Sequence, residues 1–297
     1  MNGGVDSVTL GNTTNFTHTL IDSDVFKRIE RENWRADMLQ NRYKLQAAAK
    51  ELLPDFRVGK VCNHTIPGEK RDVVVDQETG KARYGKVMKC GSIWVCPYCA
   101  QKIGYEKGQE LKKAIEIAKE KGLTRYFVTL TARHNREQSA KELLGKMSEA
   151  KKWIKKPQRA YERFKDRIGY FGEVTGLEDT WGFANGWHFH YHIIYFGEND
   201  LNTDDLENDF YQLWKKALNR QGLDCSREHG VIITKRDDHI AEYMTKWGLS
   251  DELTSQDKKK GHKGNFTPFE LLSLYVQGEK WAGLLFQEHA DATFGEH

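Results

Sequence analysis

Residues 187–196 read WHFHYHIIYF, and because successive side chains of a strand point to opposite faces, His188, His190 and His192 share one side. Trp187, Phe189, Tyr191, Ile193 and Tyr195 share the other. Three imidazoles within five strand positions are hard to reconcile with core packing, since each buried ring needs partners for two nitrogens. Two imidazoles and one carboxylate can hold a divalent cation and leave positions open for a phosphate oxygen. His190 and His192 are therefore expected as metal ligands, with His188, at the strand entrance, as a further candidate. Glu173 is the expected carboxylate: a hairpin closed by the loop 176–186, with residue 173 opposite 190, puts it on the histidine face. A slip of one residue turns it away, and Glu178 is the reserve. Downstream, DDHIAEYMTKWG places Tyr243 beside Lys246 on one helical face, with His239 four residues before the tyrosine. On its own, a tyrosine there is more often a partly buried packing residue than a nucleophile.

The cysteines suggest a second metal. Cys62, Cys90, Cys96 and Cys99 all precede residue 100, and the last three stand in CGSIWVCPYC, which ends in a CxxC knuckle. In a reducing compartment this pattern favours thiolate ligation over disulfides. Four sulfurs complete a tetrahedron with no place for water, which is the requirement of a structural zinc. His64, two residues after Cys62, is the alternative fourth ligand, replacing Cys90. Cys225 stands apart as a bystander.

These groups need elements to carry them. From Asp22 to Leu53 the pattern is helical, with Phe26, Ile29, Trp34, Met38, Leu45, Ala48 and Leu52 near one stripe before Pro54 stops it. Residues 55–99 suit a zinc ribbon with a hairpin tip at Glu78, Thr79 and Gly80, and a helix follows over 101–121. Strands are expected at 126–132, 168–175, 187–196 and 230–234. Helices are expected over 137–165, broken near Pro157, over 203–220, and from Asp237 to Trp247. Written out this is βαββαβ and a helix, an α+β class with the split-βαβ, ferredoxin-like plan and its first and third strands central in an antiparallel sheet. On the first strand Phe127, Thr129 and Thr131 share a face that can flank the histidines. Thr267, Pro268 and Glu270 match a capping box opening an apolar helix through Ala292. The resulting domains are 1–54 (helical), 55–121 (zinc ribbon and connecting helix), 122–250 (catalytic α+β domain) and 251–297 (helical appendage).

At 297 residues, with 38% hydrophobic and 30% charged content, the chain is expected to fold rather than remain disordered. It has no apolar run near the roughly 20 residues a bilayer requires, and its polar start does not resemble a secretion signal, so a cytoplasmic place and no membrane partner are expected. A net charge of +3 says little; its distribution says more. Residues 151–167 hold eight Lys or Arg against two acids, and 198–209 hold six acids and no base. A further basic knot lies at Lys258, Lys259, Lys260, His262 and Lys263. Such runs serve as solvated helix faces or as phosphate-neutralising surfaces. Lys151, Lys152, Lys155, Lys156 and Arg159 are the candidate DNA-binding cations.

WHFHYH with its HxH core, FVTLT before it and YMTK after it resemble the three ordered motifs of HUH endonucleases. More closely, CGSIWVCPYC, EVT ahead of GWHFHYH, the tyrosine of EYMTKWG and the later KGHKGNFTPFELL resemble single-tyrosine rolling-circle plasmid replication initiators, over roughly residues 60 to 290. The resemblance implies that His190 and His192 bind Mg²⁺ or Mn²⁺ with Glu173, and that Tyr243 attacks a phosphodiester of single-stranded, hairpin-presented origin DNA. The products are then a 5′-phosphotyrosyl enzyme and a 3′-hydroxyl that primes a host polymerase, with Lys246 steadying developing charge. Double-stranded origin DNA and a host helicase are the further partners implied. One departure stands out: some initiators of this group place a glutamate four residues before the tyrosine, where this chain has His239, and Glu242 points about 100° around the helix. Alternative readings are an HUH transposase or relaxase using the same chemistry, and a zinc-ribbon DNA-binding regulator without catalysis.

Overall fold

The computed structural model describes residues 23–78, 80, 82–156, 159–235 and 264–295. The expected helix 237–247, with His239, Glu242, Tyr243 and Lys246, lies outside the described residues, as do Pro157, Thr79 and the basic knot at 258–263. Helix α1 (Ser23–Leu52) crosses the division between two compact units, which falls between Leu39 and Gln40. Its expected stripe residues Phe26, Ile29, Trp34 and Met38 lie outside the described side chains, whereas Leu45 and Ala48 are buried.

Strands β3 (Thr124–Thr131), β4 (Tyr170–Gly182), β5 (Gly186–Gly197), β6 (Val231–Thr234) and β7 (Asn265–Phe266) form one antiparallel sheet in the order β6-β3-β5-β4-β7. The first and third strands of the βαββαβ run thus lie side by side inside it, which is the split-βαβ order. Alternation decides which face is dry. Tyr126, Val128 and Leu130 of β3 and Trp187, Phe189, Tyr191, Ile193 and Tyr195 of β5 point into one core with α4 (Ala140–Lys155), α5 (Arg159–Ile168) and α6 (Thr203–Asn219).

The opposite face is only partly covered. Helix α3 (Pro97–Glu120) lays Leu111, Ile115 and Ala118 over Ile194 and Phe196, with Phe127 and Val174 beside them. That cover lies toward the far end of β5 from its three histidines.

The C-terminal segment departs from expectation. The capping box is present, Thr267 accepting from the Glu270 amide at 3.3 Å and Glu270 accepting from the Thr267 amide at 2.8 Å. The single expected helix is two, α7 (Pro268–Val276) and α8 (Lys280–Ala292), because Gly278 takes φ 106° and breaks the ladder. Ahead of the sheet, α2 (Arg57–Lys60) leads into a separate two-stranded ribbon, β1 (Asp72–Val75) with β2 (Ala82–Gly85).

Candidate metal centres

The β4–β5 hairpin builds the first centre. The two strands pair up to Gly182 opposite Gly186, leaving a three-residue turn, and Gly186 has φ 75° at a place where any side chain would run into the Arg136 backbone. This tight closure, in place of the expected loop 176–186, sets the register: Glu178 stands opposite His190, and Glu173 opposite Tyr195. Residues 173 and 178 are an odd number apart and so face opposite sides. The expectation for Glu173 is therefore corrected; the reserve, Glu178, holds the position.

On the histidine face one Glu178 carboxylate oxygen lies 3.0 Å from His190 Nε2 and 3.1 Å from His192 Nε2. Neighbouring ligands about 2.1 Å from an octahedral cation are separated by about 3.0 Å, so this donor set fits a hard divalent ion. Thr129 Oγ1 lies 3.1 Å from His192 Nδ1, and the Phe127 ring stacks on His192 at 5.2 Å. With the Nδ1 proton donated to Thr129, the Nε2 lone pair faces the carboxylate, an arrangement that a cation or a ring proton must relieve. Burial opposes ionisation of Glu178, but hydrogen bonds from His190 and His192 outweigh it and hold its carboxyl well below the usual range. Burial also pushes the His192 imidazole down, against its bond to Glu178. The site opens on the carboxylate side, where Glu178 keeps 34% side-chain exposure against 4% for His192.

His188 extends the row without joining the cluster. Its ring lies 4.9 Å from that of His190 and 4.8 Å from that of His134. Burial, with the charges of His190 and His134, lowers it to about 4, so it stays neutral near pH 7.

The second centre is closed. Cys62 Sγ lies 3.7 Å from those of Cys96 and Cys99, and Cys90 Sγ lies 3.6 Å from Cys99. Sulfurs about 2.3 Å from a tetrahedral zinc are separated by about 3.8 Å, so the four fit. All four are buried, and the Gln46 amide points at Cys62 and Cys96, 3.4 Å from each. Mutual hydrogen bonding drives the Cys62 thiol down and Cys90 up, a conflict that shared coordination to a cation removes. His64 is exposed and outside this group, so the alternative ligand is not brought in. Gln46 carried no sequence signal beyond its helix. Thr129 was legible through strand alternation.

The candidate DNA-binding cations belong to the helical layer. Lys151 lies 4.1 Å over the Tyr191 ring, Lys152 pairs with Glu149 at 2.8 Å, and Lys155 pairs with Glu173, whose other oxygen accepts from Tyr161 at 3.0 Å. Lys156 caps α4 and Arg159 opens α5. Tyr191 and Glu173 are on the opposite side of the sheet from Glu178.

The chain is similar to the Protein rep of Streptomyces lividans, 29% identical over 258 residues, with 67% of this chain and 56% of the relative covered. It is also similar to a neomycin resistance protein of Streptomyces cyanogenus, 30% identical over 131 residues, covering 36% of this chain and 30% of that protein. The chain thus spans about half the length of the first curated relative and less of the second. No family model and no solved structure matches. Among the described residues, no helix is long and apolar enough to cross a membrane.

Proposed function

We propose that this chain is a metal-dependent, HUH-type DNA strand transferase that nicks and rejoins single-stranded origin DNA to initiate rolling-circle replication. The observation that carries the reading is the convergence of Glu178, His190 and His192 on one point at the open end of the sheet. The similarity to a protein named Rep supports it.

The chemistry follows from the donors. A divalent cation, Mg²⁺ or Mn²⁺, supplies Lewis-acid polarisation of a phosphoryl oxygen when bound. Glu178, His190 and His192 offer three ligand atoms on one side, and Thr129 orients the His192 ring through Nδ1. Tyr243 attacks phosphorus in line: its oxygen forms the new ester, the bond to the 3′-oxygen breaks, and the phenolic proton is released as the 3′-hydroxyl forms. Lys246 offsets developing negative charge. The ester conserves the bond energy, so a later 3′-hydroxyl can reseal the strand. The buried cysteines hold zinc as a structural element. Substrate presented in a hairpin, binding of duplex origin DNA, recruitment of a host helicase and polymerase, and a cytoplasmic place belong to the same reading.

Incubating the full chain with labelled single-stranded DNA and Mn²⁺ tests it. A denaturation-resistant protein–DNA adduct is expected, abolished in Tyr243→Phe with DNA binding retained. An undiminished adduct in that variant removes Tyr243 from the mechanism, and a wild-type chain that forms no adduct on origin DNA sinks the reading.

A further inference from the structure

Asp179 is the acid of the hairpin that the metal centre leaves aside. It follows Glu178 on β4, stands opposite Phe189 on the dry side of the sheet, and keeps only 5% side-chain exposure. His289, wholly buried on α8, places Nε2 3.2 Å from Asp179 Oδ2, within ion-pair distance but not aligned as a hydrogen bond. Three rings hold the imidazole. Trp187 and Phe286 stack on it at 5.9 and 6.2 Å, and Trp94, from the cysteine loop, meets it edge-on at 6.2 Å. The neighbours of His289 anchor its helix elsewhere: Gln287 donates to Leu52 O at 2.8 Å, and Glu288 accepts from the Ala140 amide at 2.8 Å. These bonds tie α8 to the end of α1 and the start of α4, so His289 is a fixed point against which β4 is placed.

A buried pair in this geometry stabilises poorly, because only well-aligned partners offset the hydration lost on burial. Fixing a register is the use to which such pairs are suited. Strand β4 needs one fixed. Thr175, Leu177, Asp179 and Trp181 point to the dry core, and Val174, Glu178 and Thr180 to the histidine side, so each face carries an acid, a threonine and apolar bulk. Apolar patterning therefore specifies the register weakly. A slip that sets Phe183 opposite Gly186 closes on a turn of two residues, 184–185, the commonest hairpin loop. That slip brings Asp179 opposite His190, delivers a carboxylate to the imidazoles, and leaves Thr180 against His289. The opposite slip sets Leu177 there and offers no ligand.

We propose that His289 is a positioning residue that decides which of two adjacent acids becomes the metal ligand: by engaging Asp179 on the dry face, it holds β4 in the register that leaves Glu178 with His190 and His192. This role rests on the reading of that centre as a metal site and deepens it, by naming the residue across the sheet that keeps the site assembled.

Mn²⁺ calorimetry on the full zinc-loaded chain tests it, with zinc content and the thermal transition reporting that each variant is folded. His289→Leu removes the ring nitrogens, and Mn²⁺ affinity is expected to fall about tenfold or more, a loss of the size that outer-shell partners show. His289→Gln keeps an N–H group for Asp179 and is expected to recover most of that affinity. Glu178→Ala in both backgrounds separates positioning from mere support. With His289→Leu, where Asp179 comes round to the imidazoles, the further cost of Glu178→Ala is expected to shrink to about threefold or less, whereas mere support leaves the two losses additive. Wild-type affinity in His289→Leu, additive losses, or His289→Gln as weak as His289→Leu each overturn the proposal. Where His289→Leu fails to fold, His289→Asn, too short to reach Asp179, takes its place with the same expectations. A wild-type chain that binds no Mn²⁺ takes the metal reading down as well, whereas wild-type binding with unchanged variants removes only the role of His289, so the two fail separately.

Discussion

The two faces of the β4–β5 hairpin carry the same acid in opposite employment. On one face Glu178 meets two imidazoles and opens toward solvent; on the other Glu173 is held by Lys155 and the Tyr161 hydroxyl, above the buried Tyr195. The two glutamates differ by an odd number of residues on one strand, so parity alone sets one among the imidazoles and the other against the helical layer. The difference teaches that identity of residue type says little here. What surrounds the carboxylate decides: facing nitrogen lone pairs call for a cation or a ring proton between them and it, whereas an ammonium and a phenol already satisfy it.

The sharpest way to break this comparison is to remove each carboxylate in turn and titrate Mn²⁺ by calorimetry. Glu178→Ala takes away one of three ligand atoms, so affinity should drop beyond the roughly 10- to 100-fold that losing an outer-shell partner costs. Adduct formation should fall with it. Metal binding that survives Glu178→Ala would show that the two faces do not divide the labour in this way.

Much of this was legible before any coordinates. Period-two alternation in WHFHYHIIYF put the histidines and the aromatic wall on opposite sides, and the β-α-β-β-α-β sequence of periods gave the strand order. The cysteine spacing carried the closed cluster to its four residues. The carboxylate was not settled, because strand length and turn length trade off: TGLEDTWG contains Thr, Gly and acids, which read as a loop, yet its side chains alternate between the histidine face and the dry core. Asp179, within that run, is buried beside His289 at 3.2 Å, a contact between residues far apart in sequence that no local pattern announces. Likewise the break at Gly278 depends on a backbone angle that only glycine adopts cheaply, and the apolar pattern runs straight through it.

The phenols on the back of the hairpin give a second, smaller test. Burial pushes the Tyr161 and Tyr195 hydroxyls above the ordinary tyrosine value, and the nearby Glu173 charge adds to it. The folded chain therefore keeps these protons after the unfolded chain has begun to lose its own, near pH 10. Their contribution to stability is complete below that pH and declines as pH rises through it, by up to about 1.4 kcal/mol per pH unit for each phenol held protonated. Urea unfolding across that range should show a shallower alkaline decline for Tyr195→Phe than for wild type. Parallel curves would mean that Tyr195 ionises in the folded state as freely as in the unfolded one, and the back face would not be the sealed layer described here.

Glu173→Gln carries the smallest expected effect. Glutamine keeps an acceptor for the Tyr161 hydroxyl and loses only the attraction to Lys155, whose side chain is 40% exposed and screened by water. Stability should change by about 1 kcal/mol or less, since exposed ion pairs contribute little. Mn²⁺ affinity should stay at the wild-type value, because the carboxylate faces the helical layer rather than the imidazoles. A fall in metal affinity comparable to that of Glu178→Ala would mean that residue 173 reaches the histidine face after all, which requires a β4–β5 register shifted by an odd number of residues and a turn longer than the three residues between Gly182 and Gly186.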